Sequence, residues 1–520
     1  MIGEKWKLLF GQDHANKKLA RTGGNQVSPR PRFILPAKRS RLRGGRAASL
    51  SPARTARTPS GAPPSGFDQV SVDPSPFADW LSENRVTEVE AIVADMSGVA
   101  RGKILPTSRF LEGLRRSTLR LPESIFSQTV TGDFVSSRVL DPVEPDVSLI
   151  PDFSTLRIVP WYDEPTAQVI CDAASPDGGL FRVAPRAVLI RILEQYRARG
   201  WEPVVAPEIE FYLAKPNLDP DYPLEPPTGA SGRPETGRQS YGIDAVNEFD
   251  PLFEDVYDYA EAQRLAVDTL THEAGLAQVE INFRHGEALD LADQMFYFKR
   301  TVRQAALRHG IHATFMAKPH KAEPGSSMHL HQSVVSARDG VNLFADESGA
   351  DSDLFLAHIG GLQRYLAAAM PLIAPNVNSY RRIQDADSSP VNTHWGHENR
   401  TAGFRVPQSD RESRRVENRV PGADCNPYLA IAASLACGYL GMIDGTEARD
   451  AVEGSAYSVR GFALPRHLLD ALERFRRADT LREFLGDDFS TVFLEVKGAE
   501  HDAYTQVISA WEREHLLLNV

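Results

Sequence analysis

The chain has 520 residues, 42% of them hydrophobic and 24% charged, with a net charge of −11. That is the composition of a globular protein with a sizeable core and more than one domain. Residues 1–65 carry 14 Lys and Arg against two acids, Glu4 and Asp13, which leaves 44 basic and 67 acidic residues, a balance of −23, for the remainder; so acidic a body argues against a nucleic-acid partner.

Residues 1–70, with their PRPRF and RSRLRGGRAASLSPARTARTPSGAPPSG tracts, hold too little apolar surface to offset the entropy of ordering, and disorder is expected there. An Arg-rich transit peptide or a nucleic-acid arm would have this composition too; an unselected extension is the favoured reading. No secretory signal is legible. Cys171, Cys425 and Cys437 form neither a disulfide framework nor a zinc spacing, so a reducing, cytoplasmic setting is the expectation.

Order is expected from about Phe77. Val89 to Asp95 reads as a strand, Met96-Ser97-Gly98 as a turn, and Arg101 to Leu105 as a second strand. Arg157 to Pro160 and Gln168 to Cys171 complete a small β-rich unit, with a boundary expected at Asp177-Gly178-Gly179. Beyond it the pattern predicts a helix over 187–197, a strand over 202–213, helices over 259–274 and 290–309, and a strand over 311–318: a mixed α+β domain. Tyr428 to Ile443 is the longest uncharged apolar run, too short for the roughly 20 residues that span a bilayer. Asn426 as N-cap and Pro427 in the first turn make it a buried core helix, and no membrane partner is expected.

Chemistry-bearing residues recur at strand spacing. In Pro207-Glu208-Ile209-Glu210-Phe211 the two glutamates share one strand face, as do His329 and His331 in Met328-His329-Leu330-His331-Gln332-Ser333. Alone, the glutamate pair reads more readily as a solvated face; the histidine pair points more toward a metal or phosphate. Glu273 and Glu280 add two carboxylates. The tract holding Arg381, Arg382, Arg400, Arg405, Arg411, Arg414, Arg415 and Arg419, with Glu417 among them, is interleaved with apolar residues, so several arginines must face inward toward anions. Carboxylates and a histidine opposite arginines suit hard divalent cations bridging phosphate oxygens.

The ordered set PEIEFYL, HEAGLAQVEINF, FMAKP, GSSMHLHQS, APNVNSYRR, WGHENRTAGFRVP and RRVENRVPGADCNPYLA, with ADMSGVARGK before it, resembles the glutamine synthetase superfamily over roughly residues 85–515. It looks most like the branch that makes γ-glutamylpolyamines. The resemblance implies an α+β fold, with a β-grasp-like domain over 71–180 followed by a catalytic domain over 181–520 built on a curved antiparallel sheet with helices. It implies ATP-dependent ligation of the glutamate γ-carboxylate to an amine through γ-glutamyl phosphate, with true glutamine synthetase or a non-catalytic homologue as alternatives. Two Mg²⁺ (or Mn²⁺) sites follow: Glu210, Glu273 and Glu280 on the amino-acid side, and Glu208, His329 and Glu417 on the ATP side. His331 and Ser333 would contact ATP, Arg400 and Arg405 its phosphates with Arg415 nearby, while Arg382 and Arg419 would grip substrate carboxylates and the Gly325 backbone would line the glutamate pocket. Arg400 and Arg419 would act in catalysis. A homo-dodecamer of stacked hexamers is implied as well.

Four departures from the family pattern stand out. The flap after Arg382 carries Ser388 where ammonia-using members have a glutamate, and no clear counterpart of their ammonium-binding aspartate lies around Leu121 to Ser124. Both argue for a bulkier amine. Asp387 or Asp385 would then contact that amine or serve as the base, although a solvated flap would carry the same residues. Ser327 replaces a usual glycine, and Leu276-Ala277 replaces Pro-Gly. Tyr457 is given no regulatory role.

Overall fold

Residues 72–384, 389–461 and 463–520 are described by the structure, a computed structural model. The expectation of disorder over 1–70 and the roles of Asp385, Asp387 and Ser388 lie outside these residues.

The first half of the chain builds a six-stranded sheet from β1 (Glu88–Ala94), β2 (Ala100–Pro106), β3 (Arg120–Pro122), β4 (Asp146–Pro151), β5 (Arg157–Val159) and β6 (Thr166–Ala174). The order is β2-β1-β6-β4-β3, with β5 also on β6; β1 runs parallel to β6 and antiparallel to β2. The apolar run of β1 is buried on both faces. β2 is its exposed edge and presents Arg101 and Lys103, charges that discourage edge pairing.

The second, nine-stranded sheet is curved and almost wholly antiparallel. It uses β7 (Trp201–Ala214), β8 (Val267–His272), β9 (Gln278–Phe283), β10 (Gly286–Glu287), β11 (His312–Thr314), β12 (Met328–Ser336), β13 (Trp395–His397), β14 (Phe404–Val406) and β15 (Val416–Asn418). The main order is β13-β14-β15-β12-β7-β9-β8, with β10 and β11 also on β7. Along β7, Val205, Ile209 and Phe211 are buried, while Glu208 on the alternate face reaches an open cleft.

Two expectations need correction. The helix predicted over 259–274 ends at Ala262, and residues 267–272 form β8. Arg264 takes a left-handed φ of 56° that stops the helix, and β-branched Val267, Thr269 and Thr271 then pair with β9. The strand predicted over 311–318 shrinks to His312–Thr314, since β11 finds its only ladder on the last residues of β7.

An arginine ties the first sheet to neighbouring helices. Buried Arg186, on the helix Pro185–Ala198, reaches Asp152 at 2.7 Å, Asp172 on β6 at 2.6 Å and Asp293 at 2.8 Å. Asp293 belongs to the helix Ala288–Arg308 and also accepts from the Tyr428 hydroxyl at 2.6 Å. Burial pushes the Asp293 carboxyl up to about 6 despite the arginine beside it.

The helix Pro427–Asp444 has the expected cap, with the Asn426 side chain accepting from the Tyr428 amide. Among the described residues it is the one helix long and apolar enough to cross a membrane, and 89% of that stretch is buried inside the fold. It packs on the helix Asp353–Ile373 so closely that a methyl on Gly361 would fall 2.2 Å from the Cys437 carbonyl oxygen. All three cysteines are buried and free.

His358 is sealed in this contact with neither ring nitrogen partnered, and burial pushes its pKa down to about 3. Below its ordinary value near 6.5 the unfolded chain binds a proton that the folded chain refuses, so stability is lost as pH falls from 6.5 toward 3. At pH 5 the loss is about 2 kcal/mol, from ~1.4 kcal/mol per pH unit. His358→Leu is expected to flatten the fall in urea midpoint between pH 6.5 and 5; an unchanged slope would show that the ring does not cause it.

Candidate active site

Strand register brings the acidic residues together. Glu208 on β7 lies opposite His329 on β12, Glu210 opposite Glu280 on β9, and Glu417 on β15 opposite both His331 and Arg405. Glu273 follows the last residue of β8. All six carboxylate and histidine residues expected to hold metal line one cleft of about 420 Å³, together with Gly325, Arg382, Arg400, Arg405 and Arg419. A neighbouring cavity of about 630 Å³ holds His331, Ser333 and Arg415, and shares Glu208 and Asn282 with the first.

Ligand atoms draw together in two clusters. Ligand atoms of Glu208, Glu280 and His329 lie within 4.8 Å of one another, as do those of Glu208, His331 and Glu417, so Glu208 belongs to both groups. His329 Nδ1 faces Glu208 at 3.4 Å and Glu417 at 3.5 Å. Glu210 is instead occupied by the Ser327 amide at 2.8 Å, the Ser327 hydroxyl at 2.6 Å and Gln278 Nε2 at 3.2 Å. For His331, Arg415 Nε donates to Nδ1 at 3.2 Å, which leaves the proton on Nε2, and that atom donates to Glu208 at 2.9 Å.

Electrostatics separate these carboxylates. Burial, then the charges of Glu210 and Glu208, pushes Glu280 up to about 9; burial and Glu210 push Glu273 up to about 7. Glu208 is held far below the usual range by hydrogen bonds from His329 and His331 that outweigh its burial. Glu417 falls to about 2, because the charges of His329 and Arg419 overcome its burial. Crowded oxygen donors that hold protons this tightly are a donor set that a hard divalent cation neutralises, so the residues fit the metal the family pattern implies.

The arginines play unequal parts. Arg405 and Arg419 grip Glu417 at 2.9 and 2.5 Å. Arg382 is buried and donates to the backbone carbonyls of Val420 at 2.7 Å and Arg419 at 2.9 Å, which commits two of its donors to the fold. Arg400 is exposed at the cleft mouth. At Gly325 a methyl would meet Arg382 Cγ at 2.5 Å and the Ala317 carbonyl oxygen at 2.6 Å, so only bare backbone fits there.

Glu235 went unnoticed in the sequence. It comes from the long segment between β7 and β8, and clips the β8–β9 turn by accepting from His272 Nε2 at 3.2 Å and from the Ala277 amide at 2.5 Å. Ala277 holds a φ of 56°, so the clip secures a turn that alanine by itself disfavours. Nothing in local spacing announces Glu235, 37 residues before its partner. Gln278 and Asn282, the latter donating to Glu208 at 3.3 Å, do lie inside a recognisable motif.

Residues 182–516 match the family model for the glutamine synthetase catalytic domain. The chain belongs to the glutamine synthetase family. Among its relatives is the γ-glutamylputrescine synthetase PuuA of Escherichia coli (strain K12), 37% identical over 436 residues, which are 83% of this chain and 92% of the relative. Another is the glutamate–isopropylamine ligase of a Pseudomonas species, 32% identical over 84% of this chain and 95% of that protein. The fold superposes on the solved structure of a GmaS/ADP complex with a TM-score of 0.72 at 27% identity, covering 84% of this chain and 98% of the other.

Proposed function

We propose that this family member joins the γ-carboxylate of L-glutamate to a primary amine or polyamine at the expense of ATP. The supporting observation is the pair of cavities that meet at Glu208, one lined by carboxylates and arginines, the other by His331, Ser333 and Arg415. Relatives named for putrescine and isopropylamine ligation, and a neighbour bound to ADP, support the same reading. A γ-carboxylate oxygen attacks the γ-phosphorus of ATP and ADP departs. The amine nitrogen then attacks the acyl carbon, loses a proton and expels phosphate.

In this reading the second cavity takes the nucleotide, and Arg400 and Arg405 steady the transferred phosphoryl group. Arg419, Arg382 and the Gly325 backbone orient glutamate. The six donors hold two divalent cations, Glu210, Glu273 and Glu280 on the amino-acid side and Glu208, His329 and Glu417 on the phosphate side; when bound, such ions neutralise charge on the phosphate oxygens. Asp387 or Asp385 contacts the cationic amine or serves as the base. We also take residues 71–180 as a β-grasp-like domain, 181–520 as the catalytic domain, and the assembly as a dodecamer of stacked hexamers.

An ADP-release assay with glutamate and a panel of ammonium, putrescine, spermidine, ethanolamine and alkylamines tests this. Turnover is expected with at least one organic amine, to be abolished by a chelator and restored by Mg²⁺ or Mn²⁺. Turnover with ammonium alone would sink the proposal.

A further inference from the structure

Ser327 lies between Glu210 and His329, which the reading above assigns to different cations. It is 3% exposed and immediately precedes β12, so its hydroxyl is enclosed. That hydroxyl lies 2.6 Å from Glu210 Oε1 and 3.0 Å from His329 Nε2. Its amide donates to Glu210 Oε2 at 2.8 Å, and its carbonyl accepts from the Glu210 amide at 2.9 Å, so the two residues are locked by three hydrogen bonds.

With Glu210 ionised and a cation on His329, the proton count in this chain has one solution. A serine hydroxyl has one proton to give, and an ionised carboxylate can only accept. The 2.6 Å contact therefore commits the Ser327 proton to Glu210, and the same oxygen can only accept from His329. His329 Nε2 must then carry a ring proton, so that when a cation displaces the Nδ1 proton that bonds Glu208, the lone pair is left on Nδ1. Nδ1 is the atom that faces Glu208 at 3.4 Å and Glu417 at 3.5 Å. A histidine binds metal through its unprotonated nitrogen, and the partner of its other nitrogen sets the tautomer.

We infer that Ser327 is a positioning residue that couples the two cation sites: one hydroxyl orients Glu210 on the amino-acid side and fixes His329 in the ligating tautomer on the phosphate side. A glycine at this position would leave His329 Nε2 without that acceptor and Glu210 Oε1 without that donor. The inference rests on the two-cation reading proposed above.

The test is Mn²⁺ binding to the full-length enzyme without substrates, with free Mn²⁺ followed by electron paramagnetic resonance. Wild type is expected to bind two ions per chain. Ser327→Ala and Ser327→Gly are expected to keep that count but weaken both affinities about 10- to 100-fold, the usual effect of removing a group that orients metal ligands. The melting temperature of the chelator-treated proteins should stay near that of wild type, which separates loss of ligand orientation from loss of fold; the glycine variant carries the test if alanine does not fold. Two ions bound with wild-type affinity by both variants would overturn the inference and leave the two-cation reading standing, as would weakening confined to one site. Fewer than two ions on the wild type would overturn both.

Discussion

Glu208→Ala is expected to lower amine-ligase turnover about 10³-fold or more while leaving the fold intact. Removing a single preorganised group from a charge-stabilising site costs about 10²–10³, and Glu208 serves on two fronts. It lines both cavities, shares ligand distance with His329 and Glu280 on one side and with His331 and Glu417 on the other, and anchors the Asn282 amide. Its side chain is 23% exposed, so truncation opens no deep void. Glu208→Gln keeps the shape and loses the charge, and should fall nearly as far. Steady-state ADP release, with circular dichroism as a folding control, checks this; a loss below tenfold would mean that Glu208 is a bystander on the cleft wall.

Arg186→Leu is expected to be the most damaging change to stability, about 3–5 kcal/mol in unfolding free energy, the usual result of stripping one partner from a buried ion pair. Asp293 would remain enclosed with only the Tyr428 hydroxyl, while Asp152 and Asp172 would lose their shared cation. Arg186→Lys should recover only part of the loss, since an ammonium cannot span three carboxylates in the fixed planar fork that guanidinium supplies. Denaturant unfolding of the three proteins decides it; equal midpoints would show that the network is neutral. Because Arg186 lines neither cavity, the fraction that folds should keep wild-type KM for ATP.

These two sites differ in how visible they are before folding. Glu208 is announced by a period of two in a strand, a local rule that fixes which side chains share a face. The helix Pro427–Asp444 is equally local, signalled by Asn-Pro and an uncharged run. The Arg186 network has no such signature, because its partners lie 34, 14 and 107 residues away. The mistaken helix over 259–274 shows the limit of local rules: apolar spacing allowed a helix, and ladder pairing with β9 chose a strand for its second half.

The same division runs through the candidate site. From the amino-acid sequence alone come the donor types, their placement on strands, the inward-facing arginines and, by family pattern, the chemistry. Residue identity and strand period are properties of short segments, so they survive without a fold. Only the tertiary structure decided which donors meet: Glu208 stands in two clusters, Glu210 turns to Ser327, Arg382 gives its guanidinium to backbone carbonyls, and Glu235 clips a turn from far along the chain. Those outcomes depend on the register between β7, β9, β12 and β15, and register is set by how whole strands pack, which no single segment contains.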